Sequence, residues 1–260
     1  MLTRIKSAWR QKFFIFVLVA IAALLLAINQ HTLSASAKLT TEVAQASKLP
    51  ELQGHPLPAN LVQWQDQSNS GDYFSEIKPT EVGYLIWSQL PIKVYIQQPR
   101  LETHNANRLR SWANEVWQAI QEWGVYLPLQ VVEQPDIADI KILRSSPPLR
   151  IAPNEKFPRA RSAETTYELY VNSERILSHR CSILLSPNQT GKYLQAAARH
   201  EFGHALGIWG HSPNPNDALY FSQVRNPPSI SARDVNTLKR VYQQPTRLGW
   251  LLPGDKFESR

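Results

Sequence analysis

The chain has 260 residues, 43% hydrophobic and 19% charged, a globular composition long enough for one good-sized domain with appendages. Much of its net charge of +7 sits at the N-terminus, where Arg4, Lys6, Arg10 and Lys12 stand among 37 residues without an acid. The body is only mildly basic and lacks basic-aromatic interleaving, so no nucleic-acid partner is expected. The single cysteine, Cys181, excludes an intrachain disulfide, and its apolar neighbours predict a buried thiol.

Residues 1–37 read as a signal peptide or signal anchor. The core of this segment, 13–28 (FFIFVLVAIAALLLAI), is an unbroken apolar run of about sixteen residues behind four basic ones. That is long for a signal-peptide core and slightly short for a transmembrane helix. Ala35-Ser36-Ala37 offers a small-x-small cleavage site. Cleavage gives a secreted or periplasmic protein; without it the segment makes the membrane a partner. Both outcomes put the body outside the cytoplasm, because the basic end stays inside. Residues 38–83 form a polar linker or pre-domain segment rich in Pro, Gln and Ser, broken at Pro50, Pro56 and Pro58. From Leu61 onward, Leu61, Val62 and Trp64 are candidates for packing on the domain.

The domain proper is expected over 84–243. Residues 91–96 (PIKVYI) alternate as a half-buried strand does. Residues 105–123 form a helix, with Leu109, Trp112, Val116, Ile120 and Trp123 recurring at helical spacing and Gly124 as its C-terminal cap. Strands are expected at 129–132, 138–143, 166–171 and 181–185. The intervening loop, 144–162, carries Arg144, Arg150, Arg159 and Arg161, read as a solvated charged face. A helix follows Gly191, with Leu194, Ala198, Phe202 and Ala205 on its core side. A last helix starts near Ser231, where S-A-R-D has the form of a capping box and Leu238 and Val241 are candidate core residues. Residues 244–260 are expected to be a surface tail.

The chemistry concentrates in His200 to His211, HEFGHALGIWGH. Residues four apart share a helix face, so His200 and His204 can offer imidazole nitrogens to one metal ion. Glu201 lies beside them as a carboxylate able to act on water without ligating the metal. Gly207 can adopt the left-handed conformation that ends a helix and lets the chain return His211 as a third ligand. Three histidines with one open position suit a single catalytic Zn2+.

Read as H-E-x-x-H-x-x-G-x-x-H, this stretch resembles the signature of the metzincin clan of zinc peptidases. The resemblance implies His200, His204 and His211 as zinc ligands and Glu201 as general base. It implies an α+β zincin fold: a twisted five-stranded mixed sheet with two long helices and a C-terminal helix. The substrate, a protein or peptide, would lie along an edge strand, with 166–171 the edge and 221–228 bounding the pocket beyond the cut. Ser212 and Tyr220 are similar to matrixin residues; Phe221, where astacin-like enzymes carry a tyrosine ligand, cannot ligate. Leu219 stands where the clan has a methionine in the turn beneath zinc. No cysteine upstream of Cys181 is available to block the metal, and the loop after the third strand lacks the His and Asp of a second zinc site. No calcium site is assigned. The function so implied is an extracytoplasmic zinc endopeptidase. The alternative is a non-catalytic, zinc-stabilised binding protein at the outer face of the membrane, for which Glu201 would be superfluous.

Overall fold

Five short segments build one sheet, and the three central ones bury alternate side chains. In the computed structural model, which describes residues 49–98, 106–149 and 161–253, the strands are β1 (Ile92–Ile96), β2 (Leu129–Val131), β3 (Ile140–Arg144), β4 (Ala163–Val171) and β5 (Leu177–Leu185). Their order is β2-β1-β3-β5-β4. The first four pair in parallel, and β4 runs antiparallel to β5 along its whole length, from Ala163 opposite Leu185 to Val171 opposite Leu177. This continuous pairing makes β4 and β5 longer than their apolar cores indicate. It also leaves β4 with one unpaired edge.

Helices flank the sheet: α1 (Ala59–Gln63), α2 (Ala106–Gly124), α3 (Gly191–Ala205) and α4 (Ala232–Tyr242). The buried side chains of the strands alternate. Ile92, Val94 and Ile96 of β1, Ile140 and Ile142 of β3, and Cys181, Ile183 and Leu185 of β5 share a core with Trp112, Val116, Ile120 and Trp123 of α2. Each fully buried aliphatic of this set contributes about 1.5–3 kcal/mol relative to exposure. Leu194, Ala198, Phe202 and Ala205 give α3 its core face, as their spacing predicts. This is an α+β arrangement of the general zincin-like kind, with nothing in it specific to metzincins.

Polar contacts fix α3 against its surroundings. The first backbone N–H of α3, at Gly191, donates to the Glu115 carboxylate of α2 at 2.7 Å, placing an anion at the positive end of the helix. Trp123 Nε1 donates to the Arg199 carbonyl at 3.0 Å, and Trp87 Nε1 to the Ala205 carbonyl at 2.9 Å. The Arg199 guanidinium clasps both oxygens of Glu122 at 2.6 and 2.7 Å and donates to the Pro228 carbonyl at 3.0 Å. Such bidentate pairs fix direction as well as distance.

Segments at both ends enter this unit. Leu61, Tyr73, Ile77 and Val82 are buried. The expected surface tail turns inward instead: Thr246 and Leu248 are buried, and Thr246 bridges both Gln53 and Gly83. Backbone groups in 246–252 find partners in the earlier chain, at Gln53, Val82, Arg175 and Leu177. A tail with so few apolar residues gives no periodic signal of this. In the loop between β3 and β4, Arg150 and Arg159 lie outside the described residues. Arg144 donates to the Pro187 carbonyl and Arg161 pairs with Glu164, so these two serve local structure.

The membrane-spanning helix considered from the sequence is not supported. Among the described residues no helix is long and apolar enough to cross a membrane. The apolar run 13–28 that prompted it lies outside the described residues, as does the Ala35-Ser36-Ala37 site.

Candidate metal centre

The path from α3 to His211 decides the geometry. His200 and His204 project from successive turns of α3, which ends at Ala205 and is capped by Leu206, whose N–H donates to the Phe202 carbonyl. Gly207 follows at φ +122°, and a Cβ there would run into the Leu85 carbonyl oxygen. Two three-residue turns come next: Trp209 N–H donates to the Gly207 carbonyl at 2.8 Å and Gly210 N–H to the Ile208 carbonyl at 3.0 Å. Gly210 passes so close to the Glu76 carbonyl that a Cβ would collide with it. His211 then turns back towards α3.

This path corrects the motif assignment. Three residues, Ile208, Trp209 and Gly210, separate Gly207 from His211, whereas the metzincin signature allows two. The spacing is H-E-x-x-H-x-x-G-x-x-x-H, so the chain does not carry the metzincin motif and the matrixin-like assignment falls with it. The extra residue is absorbed by the paired turns, and Gly210 allows their close approach to Glu76. Among the described residues, the cluster of possible metal ligands consists of the three histidines, without Glu201 or Gly207.

The three imidazoles nonetheless converge. One ligand atom from each of His200, His204 and His211 falls in a set whose members all lie within 4.8 Å of one another. Nε2 of His200 and Nε2 of His204 are 3.1 Å apart. Two nitrogens at about 2.1 Å from a tetrahedral zinc would stand about 3.4 Å apart, so little adjustment is needed. The other ring nitrogens of His200 and His204 are engaged. His200 Nδ1 lies 2.9 Å from the Ala218 carbonyl and His204 Nδ1 2.7 Å from the Ile208 carbonyl. A proton on each Nδ1 leaves the Nε2 lone pair directed at the shared point, the second-sphere arrangement typical of metal-binding histidines. Desolvation holds His204 well below its ordinary pKa and lowers His211 to about 4, with His200 adding to both shifts. Uncharged imidazoles are what a cation requires. The donor set fits a metal ion, and three nitrogens with an open side fit zinc.

The carbonyl that receives His200 belongs to a braced turn. Ser212 N–H donates to the Leu219 carbonyl at 2.8 Å, and Ser212 Oγ to Asp217 Oδ2 at 2.5 Å. Asp234, fully buried in the first turn of α4, accepts from Ala218 N–H at 2.8 Å, Ser231 N–H at 2.8 Å and the Tyr73 hydroxyl at 2.6 Å. Burial raises the Asp234 pKa while these three hydrogen bonds oppose the rise. The capping box at Ser231, read from S-A-R-D, therefore serves both the helix and this turn. Leu219 is buried against Gly203, on α3 between His200 and His204. Tyr220 lines the cleft, and Phe221 stands 65% exposed at its rim.

Glu201 faces the same cleft, of about 930 Å³, which runs between β4 and α3 and is closed by 217–228. Thr165 of β4 donates its hydroxyl to Glu201 Oε2 at 2.6 Å. Burial pushes the Glu201 carboxyl above its ordinary pKa, partly offset by His200 and by the bonds from Thr165. The sequence reading missed Thr165, Asp234 as a brace, and the Arg199–Glu122 clasp. Each joins segments distant in the chain, which periodicity does not register.

Comparison of the sequence with protein-family models finds no match, and comparison with curated proteins finds none either. The site itself, a histidine triad able to coordinate a metal ion, makes this a candidate metalloprotein.

Proposed function

We propose that the protein is a zinc-dependent endopeptidase, with His200, His204 and His211 holding the ion and Glu201 acting as general base. The observation that carries this reading is the convergence of three imidazoles at an open cleft that also contains a non-ligating carboxylate. Zinc in such a site supplies Lewis acidity, activating water near neutral pH and polarising a carbonyl oxygen. Glu201 takes the proton of the attacking water and delivers it to the leaving amine. The unpaired edge of β4 borders the cleft and offers backbone groups to an extended peptide. This strand addition is the reason for preferring a peptide to a small ester or amide. The basic residues and apolar run of 1–37 support placing the reaction outside the cytoplasm.

The test is casein or gelatin cleavage by the purified protein, before and after chelation and after zinc is restored. Cleavage that chelator removes and zinc returns is expected. Full zinc occupancy without cleavage would favour the zinc-stabilised binding protein instead.

A further inference from the structure

We propose that Thr165 is a positioning residue that holds the Glu201 carboxylate against the histidine triad and ties it to the sheet edge, an inference that rests on the endopeptidase reading for its functional consequence. Thr165 lies in β4, paired opposite Ile183 of β5. Its hydroxyl is 2.6 Å from Glu201 Oε2 and 3.0 Å from the Glu201 carbonyl. A hydroxyl has one proton to give, and the shorter, charge-assisted contact to the carboxylate receives it. Glu201 is thus held from the sheet side through the Thr165 hydroxyl.

The consequence is directional. A glutamate has three side-chain torsions, and a base acts only within hydrogen-bond reach of the proton it takes. Binding at Oε2 restricts those torsions and leaves Oε1 as the oxygen available to water. Because Thr165 belongs to the edge strand, it also sets the position of the base relative to a peptide paired on that edge. Its neighbour Thr166 is exposed and bonds only within the β4–β5 pair, to the Ser182 carbonyl, so this role falls to Thr165 alone of the two.

The test compares the full chain with Thr165→Val, which keeps the shape and removes the hydroxyl, and Thr165→Ser, which keeps the hydroxyl. Infrared difference spectra against Glu201→Gln isolate the Glu201 carboxylate bands. These bands should shift in Thr165→Val and return in Thr165→Ser. On a fluorogenic peptide, kcat should fall about ten- to a hundredfold in Thr165→Val with KM little changed, the scale of one charge-assisted hydrogen bond, and Thr165→Ser should rescue it to within a few-fold. Zinc affinity should stay within a few-fold in both, since the Thr165 side chain hydrogen-bonds to Glu201 and to none of the histidines. Unshifted bands, an unchanged kcat, or a more than tenfold loss of zinc affinity in Thr165→Val would overturn the proposal. Shifted bands in a chain whose zinc-loaded parent cleaves no peptide would uphold the Thr165–Glu201 restraint and overturn the endopeptidase reading.

Discussion

Leu219 fills the space that a Cβ on Gly203 would need: the two atoms would stand 2.7 Å apart. Gly203 lies on the α3 turn between the two helical histidines, and the Leu219 carbonyl is bonded to Ser212, the residue after His211. One apolar contact therefore braces the helix carrying His200 and His204 against the turn beside His211.

This contact predicts a coupled pair of mutations. Leu219→Ala should cost about 2–5 kcal/mol through the cavity it leaves. Gly203→Ala should cost about 1–3 kcal/mol through overpacking. The double variant should be more stable than the sum of the two losses implies, because each change makes room for the other. Leu219→Met should cost under about 1.5 kcal/mol. Urea unfolding of the four variants beside the parent checks this. Strict additivity would mean that the two side chains do not compete for the same space.

Gly210 gives a second prediction. Its close approach to the Glu76 carbonyl leaves no room for a Cβ, whereas a Cβ on Gly54 would meet nothing within 4 Å. Gly210→Ala should displace the segment delivering His211 and weaken zinc binding by at least about tenfold, since a strained ligand path costs more than about 1.4 kcal/mol. Gly54→Ala should leave zinc binding unchanged. Chelator-competition titrations decide it, and equal affinities in both variants would show that the turn geometry does not control the third ligand.

His179 predicts a pH dependence of stability. It is buried in β5, stacked on Trp87 at 3.9 Å, and burial lowers its pKa to about 3 from an ordinary 6.5. Among the described residues its Nε2 has no hydrogen-bond partner. As pH falls below 6.5 the unfolded chain takes up this proton before the folded one does. The stability it supports is therefore complete above pH 6.5 and is lost as pH falls towards 3, at up to about 1.4 kcal/mol per pH unit. His179→Phe keeps a ring against Trp87 and removes the titration. Chemical unfolding between pH 7 and 4 should show a shallower loss for the variant, and parallel curves would contradict the assignment.

The ligand assignment itself predicts metal content. The parent should carry about one zinc per chain, and His200→Ala and His204→Ala should each lose most of it, because a two-histidine remnant lacks the donors of a closed site. Elemental analysis reads this directly. Full zinc in both variants would remove these residues from the site.

The core and the site were unequally legible in the sequence. Alternation in Ile92, Val94 and Ile96, and the helical recurrence of Trp112, Val116, Ile120 and Trp123, express burial on one face and are visible locally. The i,i+4 histidines are equally local. The step from Gly207 to His211 is one residue longer than the motif has, with Ile208, Trp209 and Gly210 between them. The real path depends on Gly210 meeting Glu76, a contact between segments far apart in sequence. The same holds for Thr165 on Glu201 and for Tyr73 on Asp234. Side chains that brace a site from another element carry no period, so only the fold reveals them.

The central claim is that Glu201 performs chemistry at a zinc held by the three histidines. Its most direct test is peptide hydrolysis by zinc-loaded Glu201→Gln beside the zinc-loaded parent. The amide keeps the size of the side chain and cannot accept the water's proton. The account predicts unchanged zinc content and a loss of at least about a hundredfold in kcat. Turnover near that of the parent, with zinc in place, would contradict it.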